Sequence, residues 1–380
     1  MEIRAAVLDA MGATPPYASS KPLTIEKLQL QAPGPGEVLV RVKAAGLCHS
    51  DLSVINGSRP RPMPMALGHE AAGIVEEVGP TAGGVGRDDL KPGDHVVFVF
   101  VPSCGHCEPC TEGRPALCEP GAAANGAGTL LSGARRLQRQ DGTPVNHHLG
   151  VSGFAEYATV SRRSLVKVDP ELPLVEAALF GCAILTGVGA VINTSRMPAG
   201  SSSAVIGLGG VGLAALLGAV AAGARTIVAV TRSDEKLAFA RELGATHAVN
   251  AGDPDAARQV IDATGGGVDY AFDFSGSTRA LDLAYRMTRR GGTTVTAGLP
   301  APNATMPLAP VTLVAEERTL RGSYIGTAVP NRDIPRYISL YQRGRLPVNR
   351  LLTRTLELDE INDGFDRLHD GQAIRQVVTL

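Results

Sequence analysis

The chemistry legible in this chain of 380 residues begins with its 6 cysteines. Four fall in one short run, spaced Cys104-x2-Cys107-x2-Cys110-x7-Cys118. Four thiolates at that spacing complete a tetrahedron around a zinc ion and leave no position open, so such a site stiffens a loop and does not catalyse. A redox Cys-x-x-Cys pair is the competing reading; the four together, set among Pro102, Gly105 and Pro109, favour structural zinc. Cys48 and Cys182 stand far apart, with His69 between them in the run Gly68-His69-Glu70. Taken singly, a cysteine is most often a small core residue, and a histidine beside a glutamate a polar pair.

The second signal is Gly207-Leu208-Gly209-Gly210-Val211-Gly212, a G-x-G-x-x-G match. Alone it marks only a tight strand-to-helix turn. Here the apolar run Ala204-Val205-Ile206 precedes it and a helical stretch from Val211 to Ala222 follows. In that setting the loop fits a dinucleotide pyrophosphate, held by backbone N–H groups at a helix N-terminus. The next strand, Thr226 to Val230, ends in Thr231-Arg232-Ser233, where an NAD-binding chain usually places an acid for the ribose 2′-OH. A hydroxyl and a guanidinium there suit a 2′-phosphate, which points to NADP, with NAD use as the alternative.

The elements that must position these residues fall into two textures. The first third reads as short strands: Val38 to Lys43, Ala72 to Gly79 and His95 to Val101, separated by Gly/Pro turns. That spacing suggests a barrel-like fold. Residues 119–150 look like a polar surface excursion, with a loop from Gly121 to Gly128 and three solvated arginines, Arg135, Arg136 and Arg139. From about residue 185 strands alternate with helices (Asp234 to Leu243, then strands Val268 to Asp273 and Thr293 to Ala297), which means βαβ units and a parallel sheet. The expected class is α/β: residues 1–184 and 326–380 forming a β-rich catalytic domain, 185–325 a doubly wound Rossmann domain.

Bulk properties narrow the function. Hydrophobic residues are 44%, charged residues 19% and the net charge is −1, so neither nucleic acid nor an anionic membrane surface is an expected partner. The N-terminal run Met1-Glu2-Ile3-Arg4 is broken by charge and does not read as a signal peptide, so a cytoplasmic setting is expected, where clustered thiols hold metal.

Together these residues resemble the zinc-containing medium-chain alcohol dehydrogenases, and among them the longer, liver-type members. The resemblance rests on Gly46-Leu47-Cys48-His49-Ser50-Asp51, Gly68-His69-Glu70 with Gly73 and Gly79, the four-cysteine run, Gly181-Cys182-Ala183-Ile184-Leu185-Thr186-Gly187 and the Gly207–Gly212 loop. It implies a GroES-like catalytic domain and a second zinc, catalytic, on Cys48, His69 and Cys182. It further implies Glu70 behind that metal, Asp51 hydrogen-bonded to His69, and Ser50 taking the proton of a substrate hydroxyl. His49 and Arg375 would approach the cofactor pyrophosphate, and Lys236 the adenosine ribose. The activity implied is hydride transfer between a small alcohol, aldehyde or ketone and NADP or NAD, in a homodimer or homotetramer.

Three departures stand out. Ser53 occupies the position where liver-type relatives often carry a histidine that ends a proton relay. Thr231 replaces an acid. The segment after His147-His148 is one residue shorter, and Phe100 and Leu149 are pocket walls by position only. Rival readings are a non-catalytic zinc- and nucleotide-binding redox sensor, a zinc-free quinone or enoyl reductase, and a glutathione-adduct (formaldehyde) dehydrogenase.

Overall fold

The computed structural model describes residues 1–80 and 90–380. The chain divides into two compact units, one of residues 1–182, 329–336 and 352–380, the other of residues 183–328 and 337–351.

The first unit is built from β-structure. Five strands close a barrel in the order Glu2–Leu8, Leu23–Leu30, Leu137–Gln138, Pro144–His147 and Met65–Ala66. Its interior is aliphatic, with Ile3, Ala5, Val7, Leu28, Leu30 and Val145 buried together. A second, 7-stranded sheet is centred on Glu37–Gly46, whose alternating Val38, Val40 and Val42 are buried. Its neighbours are Ala71–Val78 and Arg375–Thr379, and Tyr157–Ser161 also pairs with it. The pairing Val377↔Gly46 brings the C-terminal strand beside the residues that lead into Cys48.

The second unit holds a parallel sheet of 6 strands in the order His247–Asn250, Thr226–Thr231, Ser202–Ile206, Val268–Asp273, Thr288–Thr296 and Thr319–Gly322. In chain order this is 3-2-1-4-5-6, the doubly wound arrangement with its switch point beside the first strand. The helix Gly210–Ala221 is apolar on nearly every face and almost wholly buried, which explains the long apolar stretch around it. Among the described residues no single helix is long and apolar enough to cross a membrane.

Residues 119–150 depart from the expected loop. Glu119–Ala127 is a helix, entered through Pro120 and ended by Gly128 in the left-handed conformation at φ 69°. Proline in the first turn and glycine after the last are start and stop signals; the internal glycines, Gly121 and Gly126, masked them. Nor are the three arginines simply solvated. Arg136 Nε bonds buried Glu37 at 2.7 Å, Arg139 pairs with Glu26 and Asp9, and Arg135 donates to Asn146 Oδ1 at 2.8 Å. Arg139 ties the excursion to the barrel strand Leu23–Leu30, Arg136 ties it to the second sheet, and Arg135 braces it internally.

Candidate active and metal sites

Each of the separated donor residues enters from a different element of the first unit. Cys48 is the N-cap of the helix His49–Ile55, just past the strand Glu37–Gly46. His69 precedes the strand Ala71–Val78, and Cys182 ends the short helix Ala178–Gly181. The turn at Gly68 needs glycine: φ is +91°, and a Cβ would stand 2.4 Å from the Phe154 backbone nitrogen. The ligand atoms of Cys48, His69, Glu70 and Cys182 all lie within 4.8 Å of one another, and all four residues are buried.

The electrostatics of this cluster fit a divalent cation. His69 Nδ1 lies 3.1 Å from Asp51, which fixes the tautomer, while Nε2 is buried with no hydrogen-bond partner among the described residues. Burial opposes the imidazolium, but the Asp51 carboxylate outweighs it and raises His69 to about 10. High proton affinity at Nε2 is high affinity for a metal ion that displaces the proton. The Cys182 thiol, donating to Cys48, holds Cys48 well below the usual thiol range against the cost of burial; the same contact pushes Cys182 up. Two buried thiolates in contact require a cation between them to ionise together. The donor set suits zinc, with two sulfurs and one imidazole nitrogen.

The surrounding residues fall close by. Ser50, half-buried, has its Oγ 3.9 Å from Cys48 Sγ. His49 is exposed, and its carbonyl accepts from Ser53 Oγ at 2.8 Å, so Ser53 is turned back onto its own helix. Phe100 sets its ring edge-on to His69 with centroids 5.1 Å apart. Leu149 is buried with φ +52°. Arg375, itself buried, pairs with Glu70, so the carboxylate beside the cluster has a cation on its other side.

Sequence reasoning did not single out His148. Its side chain is 1% exposed, and Nδ1 stands 3.0 Å from Asp51 Oδ1. The neighbouring His147 is held down to about 3 by burial, with the charges of Arg135 and Arg136 adding to it. It is therefore neutral, and its Nε2 accepts the Arg136 backbone N–H at 3.0 Å. The doubled histidine was visible in the sequence; its partners were not.

The second cysteine group is as compact. Cys104, Cys107, Cys110 and Cys118 have sulfurs within 4.8 Å of one another. Backbone N–H groups point at them: Cys104 N–H to Cys118 Sγ at 3.2 Å, and Cys107 N–H to Cys104 Sγ at 3.3 Å. At Cys107 burial is outweighed by the N–H groups of Cys110 and Glu119, which lower it to about 7, while burial pushes Cys110 up to about 12. Crowded thiols with opposed shifts ionise together only around a metal.

In the second unit, the Gly-rich loop joins Ser202–Ile206 to Gly210–Ala221. Gly212 is obligatory: a Cβ there would sit 2.0 Å from the Gly207 carbonyl oxygen. Gly209, by contrast, faces open space, with nothing within 4 Å of a Cβ, and Gly210 and Val211 begin the helix. Thr231 is half-buried at the end of its strand and Arg232 is exposed. Burial lowers Lys236, which follows in the helix Asp234–Glu242 capped by Ser233. Asn250, on the adjoining strand, donates to Asp234 Oδ1 at 3.0 Å.

Comparison with known proteins decides the family. Residues 34–170 match the alcohol dehydrogenase GroES-like domain and residues 210–343 the zinc-binding dehydrogenase domain. An S-(hydroxymethyl)glutathione dehydrogenase of Paracoccus denitrificans is 36% identical over 369 residues, covering 95% of this chain and 97% of that protein. The chain belongs to the zinc-containing medium-chain alcohol dehydrogenase family. Two solved structures agree. A zinc-binding alcohol dehydrogenase protein from Burkholderia ambifaria superposes with TM-score 0.93 at 38% identity, covering 100% of this chain and 99% of the other. Benzyl alcohol dehydrogenase from Acinetobacter calcoaceticus gives TM-score 0.92 at 33% identity, over 100% and 99%. As a member of that family the chain is an oxidoreductase, and the GroES-like and Rossmann folds expected of it are both present.

Proposed function

We propose that this alcohol dehydrogenase holds a catalytic zinc on Cys48, His69 and Cys182 and a structural zinc on Cys104, Cys107, Cys110 and Cys118, and that it prefers NADP to NAD. The substrate class is a small alcohol or the matching aldehyde or ketone. The observation that carries the reading is the convergence of four buried donors from three elements within 4.8 Å, with His69 Nε2 left unpartnered.

Zinc held by Cys48, His69 and Cys182 would supply a Lewis acid, and a bound nicotinamide would accept the hydride. The rest falls to side chains. Ser50, half-buried, accepts the substrate hydroxyl proton at Oγ while passing its own hydroxyl proton to water, so its net charge is unchanged. Asp51 keeps His69 in the Nδ1–H tautomer, so that Nε2 stays a lone-pair donor. Glu70 adds negative charge behind the cluster, balanced by Arg375. Phe100 and Leu149 exclude water. The loop from Gly207 to Gly212 presents N–H groups to the pyrophosphate, with His49 as a further phosphate contact. Thr231, Arg232 and Lys236 receive the adenosine ribose and its 2′-phosphate.

We assign the catalytic role to residues 1–184 and 326–380 and cofactor binding to residues 185–325, in a homodimer or homotetramer. Six free cysteines suit a reducing cytoplasm. Metal analysis of the purified protein tests the zinc assignment: two ions per chain support it, none returns the reading to a zinc-free reductase.

Cofactor preference follows from the end of the strand Thr226–Thr231. kcat/KM is expected to favour NADP by about tenfold or more, as one charge-assisted phosphate contact provides, and Arg232→Ala is expected to erase that margin. A wild-type preference for NAD would remove the argument. The cysteine lobe gives a separate expectation. Cys107→Ser should lower the melting temperature by several degrees, the scale of a lost structural-metal ligand, with kcat nearly unchanged in the folded fraction. A variant with unaltered stability and lost activity contradicts it.

A further inference from the structure

Asp51 serves more than one imidazole. Its carboxylate receives Nδ1 of His69 at 3.1 Å and the Gly68 backbone N–H at 3.1 Å, and Nδ1 of His148 stands 3.0 Å from the same Oδ1. Both rings are buried, and they meet edge to face with centroids 5.5 Å apart. His148 is held there by its own segment. Its backbone N–H bonds Ser152 Oγ at 3.1 Å, and its carbonyl receives Val151 N–H at 3.0 Å. Leu149 and Ser152 both take positive φ, at 52° and 54°, a conformation that side-chain-bearing residues adopt only where the surroundings demand it. The same segment is stitched to the one carrying His69, through Gly153 N–H to the Gly68 carbonyl at 2.9 Å and Phe154 N–H to the Leu67 carbonyl at 3.1 Å.

We propose that His148 is a positioning residue for the catalytic metal ligand His69. Its Nδ1, 3.0 Å from Asp51 Oδ1 and with no hydrogen bond of its own among the described residues, is placed to donate to the carboxylate oxygen that also meets His69 Nδ1 and the Gly68 N–H. Each further donor that packs against the carboxylate narrows its freedom about the terminal torsion, and His148 adds to the two that His69 and Gly68 supply. The consequence is a fixed direction for His69 Nε2 and slower loss of whatever ion that nitrogen holds. This rests on the assignment of Cys48, His69 and Cys182 as zinc ligands. The backbone strain at Leu149 and Ser152 is the cost of setting His148 in place.

The test reads metal, not turnover. Zinc-loaded wild-type protein, His148→Phe and His148→Asn are mixed with excess chelator, and release is followed with a colorimetric zinc indicator. Wild-type protein should show two phases, one per zinc, and Cys48→Ser should lack one of them. In His148→Phe that same phase should speed up by about tenfold, the effect of removing an outer partner of a metal ligand, while the phase from the cysteine lobe is unchanged. His148→Asn, whose side-chain N–H sits near the position of Nδ1–H, should restore most of the wild-type rate. Unchanged release from His148→Phe, acceleration of both phases together, or an asparagine variant as fast as the phenylalanine one would each overturn the positioning role. A wild-type protein with a single phase that Cys48→Ser leaves alone would instead sink the zinc assignment itself. A measurement on unmutated holoenzyme guards against a misfolded variant. With 15N-histidine labelling, His148 should appear as the Nδ1–H tautomer; the Nε2–H tautomer would face the carboxylate with a lone pair and end the proposal.

Discussion

Replacing His69 by alanine should lower kcat/KM by about a thousandfold or more. A Lewis-acidic metal contributes several kcal/mol to a charge-developing transition state, and each 1.4 kcal/mol is a factor of ten. His69 is the only imidazole among the four converging donors, its Nδ1 is already committed to Asp51, and its Nε2 has no hydrogen-bond partner among the described residues. The neighbouring imidazole of His148, its ring centroid 5.5 Å from that of His69, turns Nδ1 toward Asp51 and does not replace it. Steady-state kinetics would be read beside zinc content and a nucleotide titration. The expected pattern is one zinc lost, one retained, the nicotinamide nucleotide bound as before and turnover gone. Full activity after complete zinc removal would defeat the whole scheme. Cys48→Ser should behave alike, because both residues are proposed ligands of the same zinc.

Arg375→Met should cost stability on the scale of about 3–5 kcal/mol, as expected when one partner of a buried ion pair is removed. Glu70 is 0% exposed and Arg375 is 4% exposed, so water cannot take over the solvation of the orphaned carboxylate. Glu70 also stands among the sulfurs of Cys48 and Cys182, where an uncompensated negative charge repels any thiolate. Urea unfolding of the holoprotein at neutral pH gives the loss directly. The double variant Arg375→Met with Glu70→Gln should recover much of it, since the buried charge is then gone. The same guanidinium was expected from family resemblance to face the cofactor pyrophosphate. Nucleotide affinity separates the two jobs: an unchanged Kd with lowered stability assigns Arg375 to Glu70, whereas weakened binding at unchanged stability would refute the ion-pair account.

Local patterns in the chain carried some features through to the fold. The strand Val268–Asp273 and the helix from Asp234 were legible because their periodicity and their stop signals, Gly244 above all, lie within a few residues. The helix Glu119–Ala127 was missed because three glycines in and after it outweighed its alanines, and only the surrounding packing makes up for their poor helix propensity. The arginines of that region were read as solvated because their acids, Asp9, Glu26 and Glu37, lie about a hundred residues away in the chain. Nothing in the spacing announces such partners.

The same division runs through the site. By itself the amino-acid order determined the four-sulfur lobe and the Gly-rich turn, since every participant sits within one loop or one strand–helix unit, and local geometry follows from local residues. Tertiary structure alone decided that Cys48, His69 and Cys182 meet, that Asp51 is shared with His148, and that Arg375 reaches Glu70. Those neighbours are created by strand pairing: Glu37–Gly46 lies between Ala71–Val78 and the C-terminal strand Arg375–Thr379. Sheet register, set by which faces bury their aliphatic side chains, brings together groups that lie far apart in the chain, Glu70 and Arg375 above all.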